Sequence, residues 1–236
     1  MNYYLRLVAT GFCFVSFSIG ALVMSTLLLG PIRIFTRDPA VGRRRIKYII
    51  HLSFRLFTWL MATTGLGNFK IDGAEKAQDD SGCIVLANHP SLIDVVVLIS
   101  VYPQANCIVK SDLFNNFFLK NVLLGAGYVP SDLGEDTLKH CKNALSEGDT
   151  LVIFPEGTRS VPGQPITAKR GASQIAIRLE APIRLAHIGL NVSTLTKSEK
   201  WYKIPATKGT FYLTIGDKIA PTDFPGNGMP MGVGAR

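Results

Sequence analysis

The sequence predicts an α/β protein in which a mixed sheet is flanked by helices, preceded by an N-terminal transmembrane helix and an interfacial helix. Three observations predict this class. Residues 7–29 carry no charged side chain, residues 46–69 are apolar with regularly spaced basic residues, and short β-rich runs alternate with helical patterns from residue 71 onward. Such alternation is typical of layered α/β domains. We divide the chain into a membrane anchor with a basic flank (1–45), the interfacial helix (46–70), a main domain (71–220) and a loose tail (221–236).

The segment from Leu7 to Leu29 predicts the transmembrane helix. Its 23 residues form a helix about 35 Å long, against a hydrocarbon core of roughly 30 Å. That length exceeds the hydrophobic region of a signal peptide. Only Arg6 precedes the segment, whereas six basic residues follow it, so the positive-inside rule places the rest of the chain in the cytoplasm, at the cytoplasmic membrane. A tilted or re-entrant segment stays open as an alternative.

The net charge of +8 lies entirely in the first 70 residues. Residues 1–70 contain nine lysines and arginines and one acidic residue, whereas residues 71–236 contain sixteen of each. Positive charge beside apolar segments is typical of proteins that meet anionic membrane surfaces. We therefore expect membrane lipids as partners. We expect no nucleic-acid partner, because the main domain has no surplus of positive charge.

The interfacial helix is predicted from a stripe of basic residues. Lys47, His51 and Arg55 recur every four residues within an otherwise apolar run, so they share one face of a helix, while Trp59 lies elsewhere around it. This pattern predicts a helix in the membrane interface with its basic groups toward lipid phosphates. The alternative is a helix that packs on the flank of the domain.

The main domain shows five β-rich runs and four helical patterns. The predicted strands are 83–87, 106–110, 150–154, 183–190 and 210–215, and the predicted helices are 92–101, 112–124, 135–147 and 169–180. The four cysteines are scattered without metal-type spacing, which predicts no metal site, and three of them lie in apolar or amphipathic runs, which predicts small core residues and a reducing compartment. The glycine- and proline-rich stretch from residue 221 predicts a loose tail, and it is an unusual ending for a packed domain, so we expect a shortened C-terminus.

The stretch NHPSLID (88–94) places an imidazole and a carboxylate at a strand-to-helix junction. Pro90 keeps His89 out of the helical conformation, and Ser91 with Asp94 matches the capping box of a helix start. Asp94 is then explained as an ordinary cap. The same carboxylate can also accept a hydrogen bond from one imidazole nitrogen and leave the other as a base.

A second constellation, FPEGTRS (154–160), follows another β-rich run. Gly157 allows close approach of the backbone to a ligand, and Arg159 can bind an anionic oxygen group with two donors. The simpler interpretation is a polar turn after a strand.

Together these stretches resemble the glycerolipid acyltransferases of the lysophosphatidic acid acyltransferase superfamily. NHPSLID is similar to the N-H-x-x-x-x-D signature of that family, and FPEGTRS to its third motif. Two later stretches, AKRGASQIA (168–176) and APIRLAHI (181–188), resemble the segments that follow it, so the resemblance runs from about residue 83 to residue 190.

The resemblance implies O-acyl transfer to a lysophospholipid, most often 1-acyl-glycerol-3-phosphate, in phospholipid biosynthesis. His89 would deprotonate the acceptor hydroxyl and Asp94 would orient His89. The donor would be an acyl carrier protein or coenzyme A thioester, and no metal or redox cofactor is implied. The residues that it implies for head-group binding are Lys110, Glu156, Gly157, Thr158, Arg159 and Lys169.

The match departs from the family at the second motif. The family has an arginine five residues after a glycine, whereas Gly127 is followed there by Asp132. Loss of a phosphate-binding arginine favours an alternative acceptor, a non-phosphate hydroxy lipid such as an ornithine- or glycine-type amino-acid lipid or a polyene-type secondary metabolite. A lipid-binding protein without catalysis is a further alternative, disfavoured because His89 and Asp94 are both intact.

Overall fold

The computed structural model describes residues 3–160, 164–196 and 200–223. The helices are α1 (Tyr3–Val23), α2 (Leu29–Phe35), α3 (Pro39–Thr63), α4 (Asp94–Val101), α5 (Lys120–Ala126), α6 (Glu135–Ser146) and α7 (Arg170–Leu179), with a π-helical turn at Met24–Leu28. The strands are β1 (Gly67–Asp72), β2 (Ile84–Ala87), β3 (Ala105–Val109), β4 (Val129–Pro130), β5 (Thr150–Ile153), β6 (Ile183–Leu190) and β7 (Gly209–Ile219). Most of the predicted tail lies outside the described residues.

The seven strands form one mixed sheet in the order β1-β7-β6-β2-β5-β3-β4. All described neighbours are parallel except β6 and β7, which are antiparallel. The predicted fold class, a mixed sheet flanked by helices, is confirmed. Because β2, β5 and β3 are parallel neighbours, their carboxyl ends meet at one edge of the sheet.

The structure departs from the prediction in three elements. The strand β1 includes residues predicted to form the end of the interfacial helix, and no sequence pattern predicts the two-residue strand β4. The predicted helix 112–124 is divided into a 3₁₀ turn, Ser111–Asn115, and α5. The side chain of Asn116 accepts hydrogen bonds from the amides of Phe118 and Leu119, and this local turn competes with helix.

The centre of the molecule is α4, whose side chains are buried nearly all round. Val96, Val97, Leu98 and Ile99 are each at most 6% exposed, because the helix packs on α3 and belongs to the same hydrophobic cluster as buried residues of the sheet. A short apolar helix of this kind gains its stability from burial rather than from its intrinsic propensity. The four cysteines are free and buried, which confirms that they are core residues.

Two of the three basic residues in the stripe of α3, Lys47 and His51, face inward, so the orientation predicted for them is wrong, whereas Arg55 is exposed. Lys47 is 1% exposed and pairs with Asp149, while Nδ1 of His51 donates to the carbonyl of Ile99, 2.8 Å away, at the end of α4. Burial lowers the pKa of Lys47, and the charge of Asp149 opposes that shift. The outward face carries apolar side chains instead, with exposed Leu52, Leu56 and Trp59.

The bounds of α3 also differ from the predicted 46–70. The helix begins earlier because the side chain of Asp38 caps it, accepting from the amide of Ala40, with Pro39 in the first turn. It ends at Thr63, ahead of Gly65, which has a φ of 74°.

The apolar N-terminal segment packs along the domain. By length and composition, Tyr3–Ile32 is long and apolar enough to cross a membrane. In the structure, however, its first turns contact the loop before β7, since Arg6 donates to the carbonyls of Pro205 and Ala206 and Phe14 packs on Trp201. Its far end is also attached, because the amide of Asn121 in α5 donates to the hydroxyl of Ser25.

The buried pair between α3 and the loop before β5 predicts a large stability effect. Lys47→Met leaves the carboxylate of Asp149 buried without its cation, so we expect the free energy of unfolding to fall by about 3–5 kcal/mol. Chemical denaturation in detergent measures it. Arg43→Met is the matched control one turn earlier, where Arg43 and Glu147 are both 32% exposed, and it should cost about 1 kcal/mol or less. Equal losses for the two variants would contradict the buried role of Lys47.

Candidate active site

The site begins where β2 ends, at Asn88 and His89. The side-chain amide of Asn88 donates to the carbonyl of Ile188 on β6, and its oxygen accepts from the amide of the same residue, both at 2.7 Å. Asn88 therefore extends the pairing of β2 with β6 by one side chain. This pairing fixes the direction in which the chain leaves the sheet toward His89.

His89 and Asp94 meet as the sequence predicts. Nδ1 of His89 lies 2.9 Å from Oδ2 of Asp94, and the same oxygen accepts from the amide of Ser91 at 2.6 Å. The capping role and the orienting role of Asp94 are thus filled by one carboxylate oxygen. Because a carboxylate accepts, Nδ1 carries the proton and Nε2 has a free lone pair.

An aromatic ring packs on the imidazole of the pair, and the carboxylate of the pair is buried. The ring of His89 stacks on Phe154, with centroids 4.2 Å apart, and its side chain is 16% exposed. Asp94 is fully buried, and this burial is the main cause that raises the pKa of its carboxyl, opposed by the hydrogen bonds from His89 and Ser91. The imidazole is therefore held in one orientation with a limited opening to solvent.

Glu156 joins the two sequence motifs. One of its carboxylate oxygens accepts from the backbone amide of His89 at 2.9 Å, and the other accepts from the hydroxyl of Ser160 at 2.7 Å. The amide of Ser160 in turn donates to the carbonyl of His89 at 2.7 Å. Glu156 is 7% exposed, so the structure shows it holding His89 in place, and its predicted contact with a head group stays a prediction.

Gly157 and Lys169 are also brought together. Gly157 has a φ of 63°, and a Cβ at this position would lie 3.0–3.1 Å from the side chain of Lys169, including Nζ. Only glycine combines this backbone conformation with so close a contact. The exposed ammonium group of Lys169 therefore lies over the turn that follows β5.

Arg159 is partly engaged by the protein. Its NH1 group donates to the carbonyls of Leu195 and Thr196, at 2.8 and 3.0 Å, which attaches the loop after β6 to the motif. The same loop is attached to the first motif, because the hydroxyl of Ser91 donates to the carbonyl of Thr194. The guanidinium keeps further donors, so its predicted role toward an anion stays a prediction.

The remaining predicted residues lie at the same edge of the sheet. Thr158 is half-buried in the turn, and Lys110 is exposed directly after β3. Beside Lys110, the hydroxyl of Ser111 donates to Asp132, the acid that stands where the family has an arginine. No described contact joins Lys110 to His89, so its role also stays a prediction.

An apolar cavity of about 350 Å³ adjoins the His89–Asp94 pair. Its wall includes Leu92 and Ile93, which lie between the two residues in the chain, and it extends between α1, α3 and α4. Aromatic and aliphatic side chains dominate the lining, so the cavity is suited to a hydrocarbon chain. No sequence pattern predicts this cavity, because its walls come from segments that are far apart in the chain.

Phe154 and Ser160 contact the site in ways that the sequence did not predict, although both belong to the motif FPEGTRS. Their positions beside His89 depend on the pairing of β2 with β5. Within the described parts of the chain, no group of three or more His, Cys, Asp and Glu side chains could hold a metal ion. The expectation that no metal takes part stays a prediction.

The chain is similar to known proteins both in sequence and in structure. A family model described as "Acyltransferase" matches residues 68–185, half of the chain. A 1-acyl-sn-glycerol-3-phosphate acyltransferase of Bacillus subtilis is 29% identical over 163 residues, which is 67% of this chain and 77% of that protein. A protein of the same name from Pseudomonas aeruginosa is 24% identical over 199 residues, 81% of this chain and 75% of that one.

Other relatives are matched over less of their length. The chain covers 49% of a putative 1-acyl-sn-glycerol-3-phosphate acyltransferase of Caenorhabditis elegans, at 29% identity over 58% of this chain. Among solved structures, the 1-acyl-sn-glycerophosphate (LPA) acyltransferase PlsC of Thermotoga maritima matches with a TM-score of 0.75 and 20% identity, covering 96% of this chain and 91% of that one. At this identity the structural likeness shows the fold.

The double acceptor role of Glu156 predicts different effects of two substitutions. Glu156→Gln keeps an oxygen for the amide of His89 and a polar group for Ser160, so we expect it to retain most of the turnover of the expected acyl transfer. Glu156→Ala removes both contacts, and we expect kcat to fall by about 10²-fold, since catalytic geometry tolerates little displacement. Steady-state kinetics of both variants measure this. If the negative charge of Glu156 contacted the substrate directly, the two variants would lose kcat to the same extent.

Proposed function

The chain belongs to the acyltransferase family, within the superfamily of the 1-acyl-sn-glycerol-3-phosphate acyltransferases, and we propose that it is a membrane-bound enzyme that acylates the hydroxyl of a lysophospholipid. The favoured acceptor is 1-acyl-glycerol-3-phosphate, the substrate class that the names of the relatives give for those proteins. The donor is an acyl thioester of acyl carrier protein or coenzyme A, and we propose no further cofactor.

The observation that carries the proposal is the orientation of His89. Its Nδ1 is bound to the buried Asp94, which leaves Nε2 as the basic nitrogen, and Leu92 and Ile93, which lie between the two residues in the chain, line the apolar cavity. A base in this position accelerates proton transfer from a hydroxyl by about 10²–10⁴-fold. A histidine that only filled a turn would gain nothing from a buried carboxylate partner.

The reaction follows from this arrangement. Nε2 of His89 takes the proton of the acceptor hydroxyl while its oxygen attacks the carbonyl carbon of the thioester. The new C–O bond forms, the C–S bond breaks, and the imidazolium returns the proton to the departing thiolate. Asp94 stabilises the transient positive charge on the ring, and the amide contact of Glu156 keeps His89 at the end of β2.

The acceptor phosphate is proposed to lie near the turn after β5. The exposed ammonium of Lys169, the remaining donors of Arg159, the side chain of Thr158 and the open backbone at Gly157 are all at this edge. Lys110, at the end of the neighbouring strand β3, adds a further positive charge. Two or more cations and backbone donors are the usual partners of a phosphate group.

The hydrocarbon chain of the donor is proposed to enter the apolar cavity. Leu92 and Ile93 place one wall of the cavity beside the catalytic pair, and Phe14, Phe17 and Phe54 contribute to the opposite wall. Burial of methylene groups is favourable by about 0.8 kcal/mol each. This gain would hold the thioester carbon close to His89.

A second acceptor class is favoured by one observation, the acid at position 132. Asp132 accepts a hydrogen bond from Ser111 next to Lys110, so the region carries a negative charge where the family has a cation. This change weakens the attraction for a phosphomonoester. The alternative acceptor is a hydroxy lipid without phosphate, such as an amino-acid lipid, acylated through the same His89 chemistry.

We propose that the protein attaches to the cytoplasmic leaflet of the membrane without crossing it. One face of α1 exposes apolar side chains at helical spacing, Tyr4, Val8, Phe12, Val15 and Ile19. Both ends of this apolar segment are attached to the domain, through Arg6 and Ser25, and this favours a docked helix over the crossing helix expected from sequence. The outward apolar face of α3 provides a second membrane contact.

Acyl transfer can be tested with purified protein in detergent, a labelled acyl donor and two parallel acceptors, lysophosphatidic acid and a hydroxyacyl amino-acid lipid. We expect product from lysophosphatidic acid, and a loss of about 10²–10⁴-fold in His89→Ala. Turnover that is unchanged in His89→Ala would overturn the mechanism. Product from the amino-acid lipid alone would assign the second acceptor class.

Lys169→Gln reports the phosphate contact in the same assay. The side chain is exposed, so the substitution leaves the fold intact, and we expect a higher KM for lysophosphatidic acid with little change for the uncharged acceptor. Equal KM changes for the two acceptors would count against a phosphate at this turn.

Membrane binding can be tested by flotation with anionic vesicles of phosphatidylglycerol and phosphatidylethanolamine. Leu56→Glu places a charge on the outward face of α3, where Leu56 is 63% exposed, and we expect the affinity for vesicles to fall about tenfold or more. Gln78→Glu adds the same charge at an exposed position in the turn Ala74–Asp79 and should bind as the wild type does. Unchanged flotation of Leu56→Glu would show that the outward face of α3 does not contact the membrane.

A further inference from the structure

The apolar cavity has one charged residue among the described side chains that line it, Arg6 of α1. Arg6 is 5% exposed, and its NH2 group donates to the carbonyls of Pro205 and Ala206, at 2.7 and 2.6 Å. Its Nε–H is buried and has no hydrogen-bond partner in the part of the chain that the structure describes. A cation with an unused donor thus forms part of the wall of a hydrocarbon cavity.

The described parts of the chain supply no negative charge to Arg6. No described carboxylate forms an ion pair with it, and none of the described cavity-lining residues is acidic. The two carbonyl oxygens provide dipoles but no net charge. Arg6 also lies one turn from the described start of α1, where the helix dipole disfavours a cation rather than neutralising it.

A buried charge is ordinarily paired, and the rest of this protein follows that rule. Lys47 is paired with Asp149, and Arg184 with Asp80, each with both side chains at most 5% exposed. Arg6 is as buried as Arg184, but its partners among the described residues are neutral. The cost of burying an unpaired charge makes an anion the partner that this guanidinium lacks.

We propose that Arg6 forms a binding site for a single-chain anionic amphiphile, whose hydrocarbon chain occupies the apolar cavity and whose carboxylate or phosphate head binds the guanidinium. A free fatty acid supplies the carboxylate, and a lysophospholipid supplies the phosphate. The cavity provides burial for the chain, and the Nε–H of Arg6 provides a charge-assisted hydrogen bond to the head. An amphiphile with an uncharged head gains only the burial of its hydrocarbon chain.

This site goes beyond the proposed acyl transfer, because it concerns binding and does not require turnover. Its occupant shares the cavity that we assign to the chain of the donor, so it competes with the thioester. A fatty acid released by thioester hydrolysis would then reduce the rate of transfer. The binding test below reads no product, so its failure is distinguishable from failure of the proposed reaction.

Trp201, which lines the cavity, is a reporter for binding. The chain has two tryptophans, and Trp59→Phe removes the exposed one on α3, so that fluorescence comes from Trp201 alone. The probes are dibrominated stearic acid and dibrominated stearyl alcohol, which quench tryptophan at short range and differ only in the head. We expect the acid to quench at concentrations about tenfold lower than the alcohol, at about pH 8 where the carboxylate is ionised.

Two variants assign this difference to Arg6. Arg6→Gln keeps an amide donor for the carbonyls of Pro205 and Ala206 but removes the charge, so acid and alcohol should quench alike. Arg6→Lys keeps the charge and should retain part of the preference. Displacement of the brominated acid by unbrominated lysophosphatidic acid would extend the site to phosphate heads, and failure to displace it would restrict the site to carboxylates.

Equal quenching by acid and alcohol in the protein with native Arg6 would overturn the proposal without reference to any variant at that position. An acid preference that persists in Arg6→Gln, with thermal unfolding unchanged, would also overturn it.

Discussion

The carboxylate of Glu156 is the contact on which the geometry of the site depends. It binds the amide of His89 and the hydroxyl of Ser160, and so holds the ends of β2 and β5 in one arrangement. Parallel pairing of these strands brings the two ends to the same edge of the sheet, but it does not fix the turns beyond them. A buried carboxylate with two donors does so, because any movement of either turn would leave a polar group without its partner.

Buried ion pairs set the position of the surrounding layers. Lys47 attaches α3 to the loop before β5 through Asp149, and the amide of Asn106 on β3 donates to the same carboxylate. At the opposite side, Arg184 of β6 binds Asp80 ahead of β2. Such pairs stabilise the fold little more than apolar side chains of the same size would. A displaced element, however, would leave a buried charge without its partner. Each pair therefore favours one relative position of the two segments that it joins.

Local features could be predicted from the sequence, and distant contacts could not. His89 and Asp94 are five residues apart across a helix start, so a capping pattern sufficed to place them together. Glu156 meets His89 across 67 residues, and only the strand order decides that contact. For α3, the spacing of Lys47 and His51 showed that they share a face, but the direction of that face depends on Asp149, 102 residues away.

The docking of α1 has a consequence for how the protein is made. Arg6 binds Pro205, 199 residues later, so the wall that α1 contributes to the cavity closes only after these 199 residues have been synthesised. At 5–20 residues per second that interval is roughly 10–40 s. Throughout it, an apolar helix of membrane-spanning length is exposed without its partner loop. The nascent chain must therefore be shielded, by the bilayer or by a chaperone, while its own catalytic domain is still being synthesised.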